Sequence, residues 1–200
     1  MGCIIPHFCL QMSYSLDSIM VEDTLKLKEK FGWDVFVETG TDRGESIRTL
    51  LPHFSKIYSC EIESERWQFY DDLLSNNKVI IKQGSSIDCL PEFFKEIGHS
   101  QFFLYLDAHW NGNWPILNEL KLVAEWGLKP VIIIHDFDNG LGFGFDRYRP
   151  EGQQEEYLLN YDYVKESIET IYSKDGYIFQ TNTESTNPIK VGCAYFIPKS

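Results

Sequence analysis

The chain has 200 residues, a length that suits one domain with a single core. Apolar residues make up 43% and aromatic residues 15% of the sequence, which excludes a disordered chain. The formal net charge of −12 repels phosphate backbones and anionic lipid surfaces, so we expect neither nucleic acid nor a membrane as a partner.

The cysteines and the start of the chain bear on the compartment. The five cysteines are odd in number and none has C-x-x-C spacing, which favours a reducing compartment and argues against a zinc site. The first ten residues lack the basic flank of a secretory signal. No apolar run approaches the roughly 20 residues of a membrane helix. We therefore expect a cytoplasmic protein.

Short β-rich runs alternate with amphipathic stretches along the chain. We expect an N-terminal helical cap or lid segment over residues 1–32, followed by one domain over residues 33–200. The predicted elements, in order, are helix 17–30, strand 34–40, helix 44–54, strand 56–62, helix 65–75, strand 78–84, helix 86–97, strand 101–110, a helix from Pro115, strand 129–137, helix 153–173, and strands 176–182 and 192–198.

The apolar content of these strands indicates the fold. The fourth and fifth strands are almost continuously apolar, which is typical of a parallel sheet with helices on both faces. The last two strands follow each other without a helix, so the final strand should pair antiparallel. We therefore predict an α/β, doubly wound fold with a seven-stranded, mostly parallel sheet and an antiparallel last strand.

The turn after the first strand, VETGTDRGES, is the first candidate site. Gly40 and Gly44 let the backbone pass close to a ligand, but their G-x-x-x-G spacing departs from the G-x-G-x-x-G of dinucleotide sites. A carboxylate at Glu38 would repel a pyrophosphate and stabilise an ammonium or sulfonium. Glu61, at the end of the second strand, can accept the hydroxyl hydrogens of a ribose. These features predict an adenosine-containing ligand with a positive charge.

Residues 33–198 resemble the class I S-adenosylmethionine-dependent methyltransferases. VETGTDRGES resembles their first motif, CEIES the acidic end of their second strand, and KQGSSIDCL the loop that borders adenine. Asp42 stands where the common E-x-G-x-G-x-G form has its central glycine. The macrocin O-methyltransferase-like group, with its ETGxxRGG turn, tolerates that change and is the nearer relative. The resemblance implies S-adenosylmethionine as cofactor, the methionine portion near Glu38, Gly40, Thr41 and Gly44, the ribose at Glu61, and the adenine beside Ser85 and Ser86.

A second cluster follows the fourth and fifth strands, in LYLDAHW and IIIHDF. Asp107, His109 and His135 are candidate catalytic residues, and Asp107 would also border the cofactor. Histidine side chains suit general-base catalysis near neutral pH, so His109 is a candidate general base. Alternatively, a divalent metal on Asp107, His135 and Asp136 could lower the pKa of the acceptor. Each of these residues could instead have a structural role, as a hydrogen-bonded buried histidine or a turn cap.

The spacing of this cluster resembles metal-dependent O-methyltransferases of the catechol, caffeoyl-CoA and macrocin types, which hold magnesium or calcium there. His135 takes the place of an acid, and imidazole favours manganese, iron or zinc over magnesium. Aromatic residues in the following loops could form the walls of the acceptor site: Trp110, Trp114, Phe143 and Phe145.

The sequence leaves three functions open. The first is methyl transfer to a small-molecule acceptor, on oxygen. The second is an NAD-dependent oxidoreductase on a similar sheet, which the missing third glycine and Glu38 disfavour. The third is a non-catalytic protein that binds an adenosine ligand.

Overall fold

The structure is a computed structural model that describes residues 18–109, 114–149, 152, 154–185 and 190–199. Expectations for residues 1–17 and for Trp110 therefore lie outside the described residues. The elements are α1 Ser18–Phe31, β1 Val35–Thr39, α2 Glu45–Leu50, β2 Lys56–Glu61, a 3-10 helix Ser64–Phe69, α3 Asp71–Leu74, β3 Val79–Gln83, α4 Ser86–Ile97, β4 Phe103–Leu106, α5 Ile116–Glu125, β5 Val131–Ile134, β6 Arg147–Tyr148, β7 Tyr157–Leu158, α6 Tyr161–Tyr172, β8 Tyr177–Thr181 and β9 Ala194–Pro198.

The main sheet confirms the predicted α/β, doubly wound fold. Among the described residues it has seven strands in the order β3-β2-β1-β4-β5-β9-β8. Strands β1 to β5 are mutually parallel, and β9 pairs antiparallel with both β5 and β8. The strand order reverses between β1 and β4. In such a sheet, ligands bind in the crevice at the carboxyl ends of the strands beside the reversal.

Alternating side chains of the strands build one apolar cluster on each face of the sheet. On β1, Phe36 packs with Met20 of α1 and Ile47 of α2, whereas Val37 packs with Leu120 of α5 and residues of α4 and α6. Because side chains alternate along a strand, Glu38 faces the α1–α3 side and Thr39 faces the α4–α6 side. Burying each large apolar side chain stabilises the fold by about 1.5–3 kcal/mol.

Three predicted helices are wrong in extent. The helix predicted over 44–54 is α2, which ends at Leu50, two residues before Pro52. The helix predicted over 65–75 is a 3-10 helix and a short α3 that meet at Tyr70, whose buried hydroxyl donates to the carbonyl of Asp42 at 2.7 Å. This bond draws Tyr70 under the glycine turn and interrupts the helix. The helix predicted over 153–173 begins only at Tyr161, after β7 has paired with β6. Asn160 caps it by accepting the N–H of Tyr163 at 3.0 Å.

Within the described part of the chain, no helix has both the length and the apolar character that crossing a membrane requires.

Candidate active site

The glycine turn packs tightly on the neighbouring strand. Gly40 has φ +83°, and a Cβ there would lie 2.9 Å from the carbonyl oxygen of Asp107. Gly44 has φ +76°, and its Cβ would lie 2.6 Å from a methyl carbon of Leu73. Asp42 keeps φ at 45°, so it adopts the left-handed conformation of the glycine that the common motif has there. Gly40 is therefore favoured by its positive φ and by the close backbone of Asp107. Gly44 is favoured mainly by its positive φ, because the end of the Leu73 side chain can move.

Glu38 lies beneath the turn and is fully buried. Ser46 of α2 donates a hydrogen bond to one carboxylate oxygen, and Ser59 of β2 donates to the other at 2.7 Å. The hydroxyl oxygens of Thr41 and Ser59 are 2.6 Å apart. The carboxyl group of Glu38 thus joins β1, β2 and α2 beneath the turn.

Burial raises the pKa of Glu38 to about 8, and the charges of Asp107 and Glu61 add to this rise, while the serine hydrogen bonds oppose it. The folded-state pKa lies above the ordinary value of 4.5, so protonated Glu38 contributes stability fully below that value. The contribution is lost as the pH rises through about 8. We expect the free energy of unfolding to fall from about pH 5 to about pH 9, and to fall less in Glu38→Gln.

Urea unfolding at the two pH values measures this difference. Glu29→Gln, which removes an exposed carboxylate on α1, is the control and should keep the wild-type dependence. An equal fall in wild type and Glu38→Gln would show that the buried carboxylate does not cause it.

Glu61 organises the loop beside the predicted ribose position. Its two oxygens accept the backbone N–H groups of Asp42 at 2.8 Å and Glu63 at 2.9 Å. Arg66 forms ion pairs with Asp42 and Glu63 and holds the two loops together. Each carboxylate oxygen keeps a second lone pair that could accept a ribose hydroxyl.

Glu61→Gln should lower both stability and affinity for adenosine ligands. The amide group would turn one acceptor into a donor, so one of the two backbone N–H groups would lose its partner, at a cost of about 1–3 kcal/mol. Thermal unfolding measures the loss, and Glu65→Gln, an exposed change four residues away, should leave the midpoint unchanged. A midpoint equal to that of wild type would contradict this role.

Ser85 and Ser86, predicted to lie beside adenine, begin α4. Ser85 is its N-cap and accepts the N–H of Ile87 at 3.3 Å. Ser86 is only 5% exposed, and its hydroxyl makes no hydrogen bond of normal geometry within the described residues. The cap is therefore a structural role for Ser85, while Ser86 keeps an unused hydroxyl.

The second predicted cluster forms at the ends of β4 and β5. The strands pair in parallel with Leu106 opposite Ile134, which sets Asp107 beside His135. Nδ1 of His135 lies 3.0 Å from Asp107 Oδ1 and 3.4 Å from Asp136 Oδ1. Burial alone would lower the pKa of His135, but the two adjacent carboxylates raise it well above its ordinary value. The two carboxylates therefore favour the imidazolium form of His135, which partly neutralises their charge.

His109 lies at the mouth of this cluster. Its side chain is 55% exposed, and its Nε2 is 4.0 Å from Asp136 Oδ2. Among the described residues, one group offers metal-ligand atoms within 4.8 Å of one another, and it consists of Asp107, His109 and Asp136. The metal site predicted from the sequence contained His135 instead of His109. Nδ1 of His135 is already directed at both carboxylates, so the geometry favours His109 as the imidazole ligand.

A cleft lies above these strand ends. Trp114, from the predicted aromatic wall, lines it, whereas Phe143 is buried. Among the described residues that line this cleft there is no lysine or arginine. Burial and the charge of Asp136 raise the pKa of Asp146. The ionisable residues that line the cleft are Asp107, His109, Glu119, His135, Asp136 and Asp146.

The sequence analysis did not identify Glu119 as a site residue. It occupies the fourth position of α5, where Ile116, Leu120 and Val123 are buried at the spacing of an apolar helix face. A carboxylate within that face is the signal that could have revealed it.

No protein-family model and no curated protein matches the chain. Solved structures share its fold. The O-methyltransferase TomG from Streptomyces achromogenes, involved in tomaymycin synthesis and solved with S-adenosylmethionine, is 13% identical, with a TM-score of 0.64 over 92% of this chain and 82% of that chain. A Staphylococcus aureus protein provisionally named a caffeoyl-CoA O-methyltransferase is 16% identical, with a TM-score of 0.60 over 92% and 85%.

A Klebsiella pneumoniae protein provisionally named an O-methyltransferase is 12% identical, with a TM-score of 0.59 over 94% of this chain and 83% of that chain. At such identities the similarity establishes the fold alone. The chain therefore has the Rossmann-like methyltransferase fold that the sequence predicts.

Proposed function

We propose that the chain transfers a methyl group from S-adenosylmethionine to a small-molecule acceptor. The main support is the position and charge of the cleft, which lies at the carboxyl ends of β4 and β5, next to the reversal of strand order. The described residues that line it include four carboxylates and no lysine or arginine. Such a lining favours a sulfonium ligand over a diphosphate coenzyme. TomG, which shares the fold, was solved with S-adenosylmethionine.

The roles of the binding residues follow from their places in the fold. Glu61 would accept the ribose hydroxyls, and the backbone of the turn from Gly40 to Gly44 would border the methionine portion. Glu38 would support the turn from below by joining β1, β2 and α2, and its raised pKa makes it a weak source of negative charge for a nearby cation. The adenine would lie near the start of α4, at Ser86. Membership of the macrocin O-methyltransferase-like group stays a prediction.

The acceptor we propose is a hydroxyl oxygen. Methyl transfer to oxygen is an in-line displacement, which requires that the two substrates be aligned and that the hydroxyl proton be removed. His109 is the proposed general base, because it is accessible at the cleft and because two adjacent carboxylates favour the protonated form of His135. Asp107 and His135 would orient the acceptor and balance charge at the end of β4.

A metal-assisted form of the reaction has its own support. Asp107, His109 and Asp136 fit the donor preferences of manganese, iron or zinc, which bind imidazole together with carboxylates. A metal bound there would lower the pKa of the acceptor hydroxyl. In that case His109 would act as a ligand rather than as the base. Comparing acceptor turnover with and without a chelator distinguishes these two roles of His109.

A thermal-shift series tests the proposal. A ligand at about 100 times its dissociation constant stabilises a protein by about 2.7 kcal/mol, which raises the unfolding midpoint measurably. We expect S-adenosylmethionine and S-adenosylhomocysteine to raise it and NAD to leave it unchanged. A response to NAD alone would overturn the proposal in favour of an oxidoreductase.

Methyl transfer itself needs an acceptor panel with isotope-labelled S-adenosylmethionine. Labelled product from a phenol or another hydroxyl compound would support the proposal. Donor binding without transfer to any acceptor would favour a binding protein instead.

A further inference from the structure

Glu119 is a buried carboxylate at the side of the cleft that faces α4 and α5. It is 0% exposed, and neither of its carboxylate oxygens has a hydrogen-bond partner of normal geometry among the described residues. It nevertheless lines the cleft, so its carboxylate borders the space that a ligand would occupy. An unpaired buried carboxylate is costly to the fold, and such a cost is commonly kept at sites that bind a ligand.

Two further unpaired hydroxyls are close to this carboxylate. Thr39 at the end of β1 is 0% exposed, and Ser86 at the start of α4 is 5% exposed. Neither hydroxyl has a hydrogen-bond partner of normal geometry in the described structure. Burial raises the pKa of Glu119 to about 7, and the nearby hydroxyls of Ser86 and Thr39 oppose the rise. Three elements thus bring unused polar atoms to one place.

The hydrogen-bond partners that these polar atoms lack indicate the chemistry of the ligand. Glu119 supplies two acceptor oxygens, and the hydroxyls of Thr39 and Ser86 can each donate one hydrogen toward them. The lone pairs of the three groups still outnumber these two hydrogens, so the missing partner is a donor. An ammonium group has three N–H donors and no acceptor. The positive charge also suits a cleft that contains Asp107, Asp136 and Asp146 without a lysine or arginine. Trp114, at the same cleft, offers an aromatic face to a cation.

We propose that Glu119, with the hydroxyls of Thr39 and Ser86, binds a protonated primary amine of a ligand in the cleft. The inference rests on the proposed function, since it takes the ligand to be the methyl donor or the acceptor. If the amine belongs to the acceptor, the acceptor is a small molecule that carries an ammonium group in addition to the hydroxyl that is methylated. A metal is disfavoured here because Glu119 lies outside the group of metal-ligand atoms.

The test compares wild type with Glu119→Gln, which keeps the size of the side chain and removes its charge. The probes are tyramine and tyrosol, which differ in an ammonium or a hydroxyl at the end of the same chain, bound in the presence of S-adenosylhomocysteine. We expect wild type to prefer tyramine by at least about tenfold and Glu119→Gln to lose that preference. Glu125→Gln, an exposed change on the same helix, should retain it.

A second arm identifies the source of the amine. S-adenosylhomocysteine is compared with its analogue that lacks the amino group, on the same proteins. A loss of affinity in Glu119→Gln for S-adenosylhomocysteine alone assigns the site to the ammonium of the donor. A change confined to the tyramine arm assigns it to the acceptor.

Other outcomes overturn the inference. These are a wild type without an ammonium preference in either arm, and a Glu119→Gln protein that retains the full preference. Both would mean that the buried polar atoms hold only water. If Glu119→Gln fails to fold, Ser86→Ala replaces it and should weaken amine binding several-fold. Because both arms measure binding, an amine preference that depends on Glu119 without any methyl transfer would reject the proposed function and keep this site.

The ligand-free protein provides an independent readout. Removing an unpaired buried charge should raise the unfolding midpoint of Glu119→Gln above that of wild type. If the carboxylate of Glu119 had only a structural role, the substitution would lower the unfolding midpoint. A lowered midpoint together with a retained amine preference would contradict the inference twice.

Discussion

Gly40→Ala is expected to destabilise the protein strongly and to abolish binding of S-adenosylmethionine. A side chain at φ +83° costs about 1–2 kcal/mol. The new Cβ would also lie 2.9 Å from the carbonyl oxygen of Asp107 and 3.2 Å from Cα of Ala108. Both atoms belong to the backbone, so β4 or the turn must move, which adds about 1–3 kcal/mol. Thermal unfolding and calorimetry with S-adenosylmethionine measure the two effects.

Gly98→Ala is the matched control for the backbone cost. Gly98 has φ +64° at the end of α4, and no heavy atom lies within 4 Å of the position of its Cβ. Gly98→Ala should be destabilised only by the cost of a side chain at positive φ, and it should bind S-adenosylmethionine as wild type does. Equal losses in the two variants would show that the contact with Asp107 does not matter.

Asp107→Asn is expected to reduce methyl transfer by about a hundredfold or more, within the range for loss of a residue that positions a proton transfer. Asp107 accepts from His135 at 3.0 Å and from the hydroxyl of Tyr105 at 3.3 Å. The substitution leaves the imidazolium of His135 with Asp136 as its remaining close carboxylate. A hydrogen bond to a charged group contributes about 1.5–3 kcal/mol, so stability should fall as well.

Asp138→Asn is the control for this prediction. Asp138 follows β5, the strand next to the one that Asp107 follows, and it does not line the cleft. Its side chain accepts the N–H of Gly140 at 3.0 Å, as an asparagine also can. Its turnover and unfolding midpoint should match wild type. Turnover in Asp107→Asn within a few-fold of wild type would remove Asp107 from the proposed chemistry.

The sequence predicts most of the sheet because its signals are local. The five parallel strands and their helices follow from apolar runs and turn residues, and the antiparallel end follows from two strands without a helix between them. The predicted strands 101–110 and 129–137 are longer than β4 and β5. Their carboxyl ends leave the sheet to present Asp107 and His135, and apolar content alone does not mark where pairing stops.

The features that the sequence does not predict depend on distant contacts. Tyr70 interrupts a helical pattern because its hydroxyl reaches Asp42, which lies 28 residues earlier. The start of α6 depends on the pairing of Arg147 and Tyr148 with β7, although the cap at Asn160 has a local signature. Such competition between local propensity and tertiary contact is the general reason that helix ends are difficult to predict.

The candidate site also combines features that local sequence signals predict with features that depend on distant contacts. The predicted residues at the ends of β1, β2, β4 and β5 do converge, because parallel strands bring their ends to one edge. The burial of Glu38 was not predicted, since it depends on Ser46 and Ser59 from two other elements. The choice of His109 over His135 in the possible metal group depends on ring orientation, which no sequence pattern specifies.

A crystal structure with S-adenosylhomocysteine bound tests the account most directly. We predict the ribose hydroxyls at the carboxylate of Glu61, the homocysteine portion along the turn at Gly40, and its sulfur directed toward Asp107 and His109. A diphosphate coenzyme retained in the cleft, or S-adenosylhomocysteine bound away from both Glu61 and the turn, would contradict it.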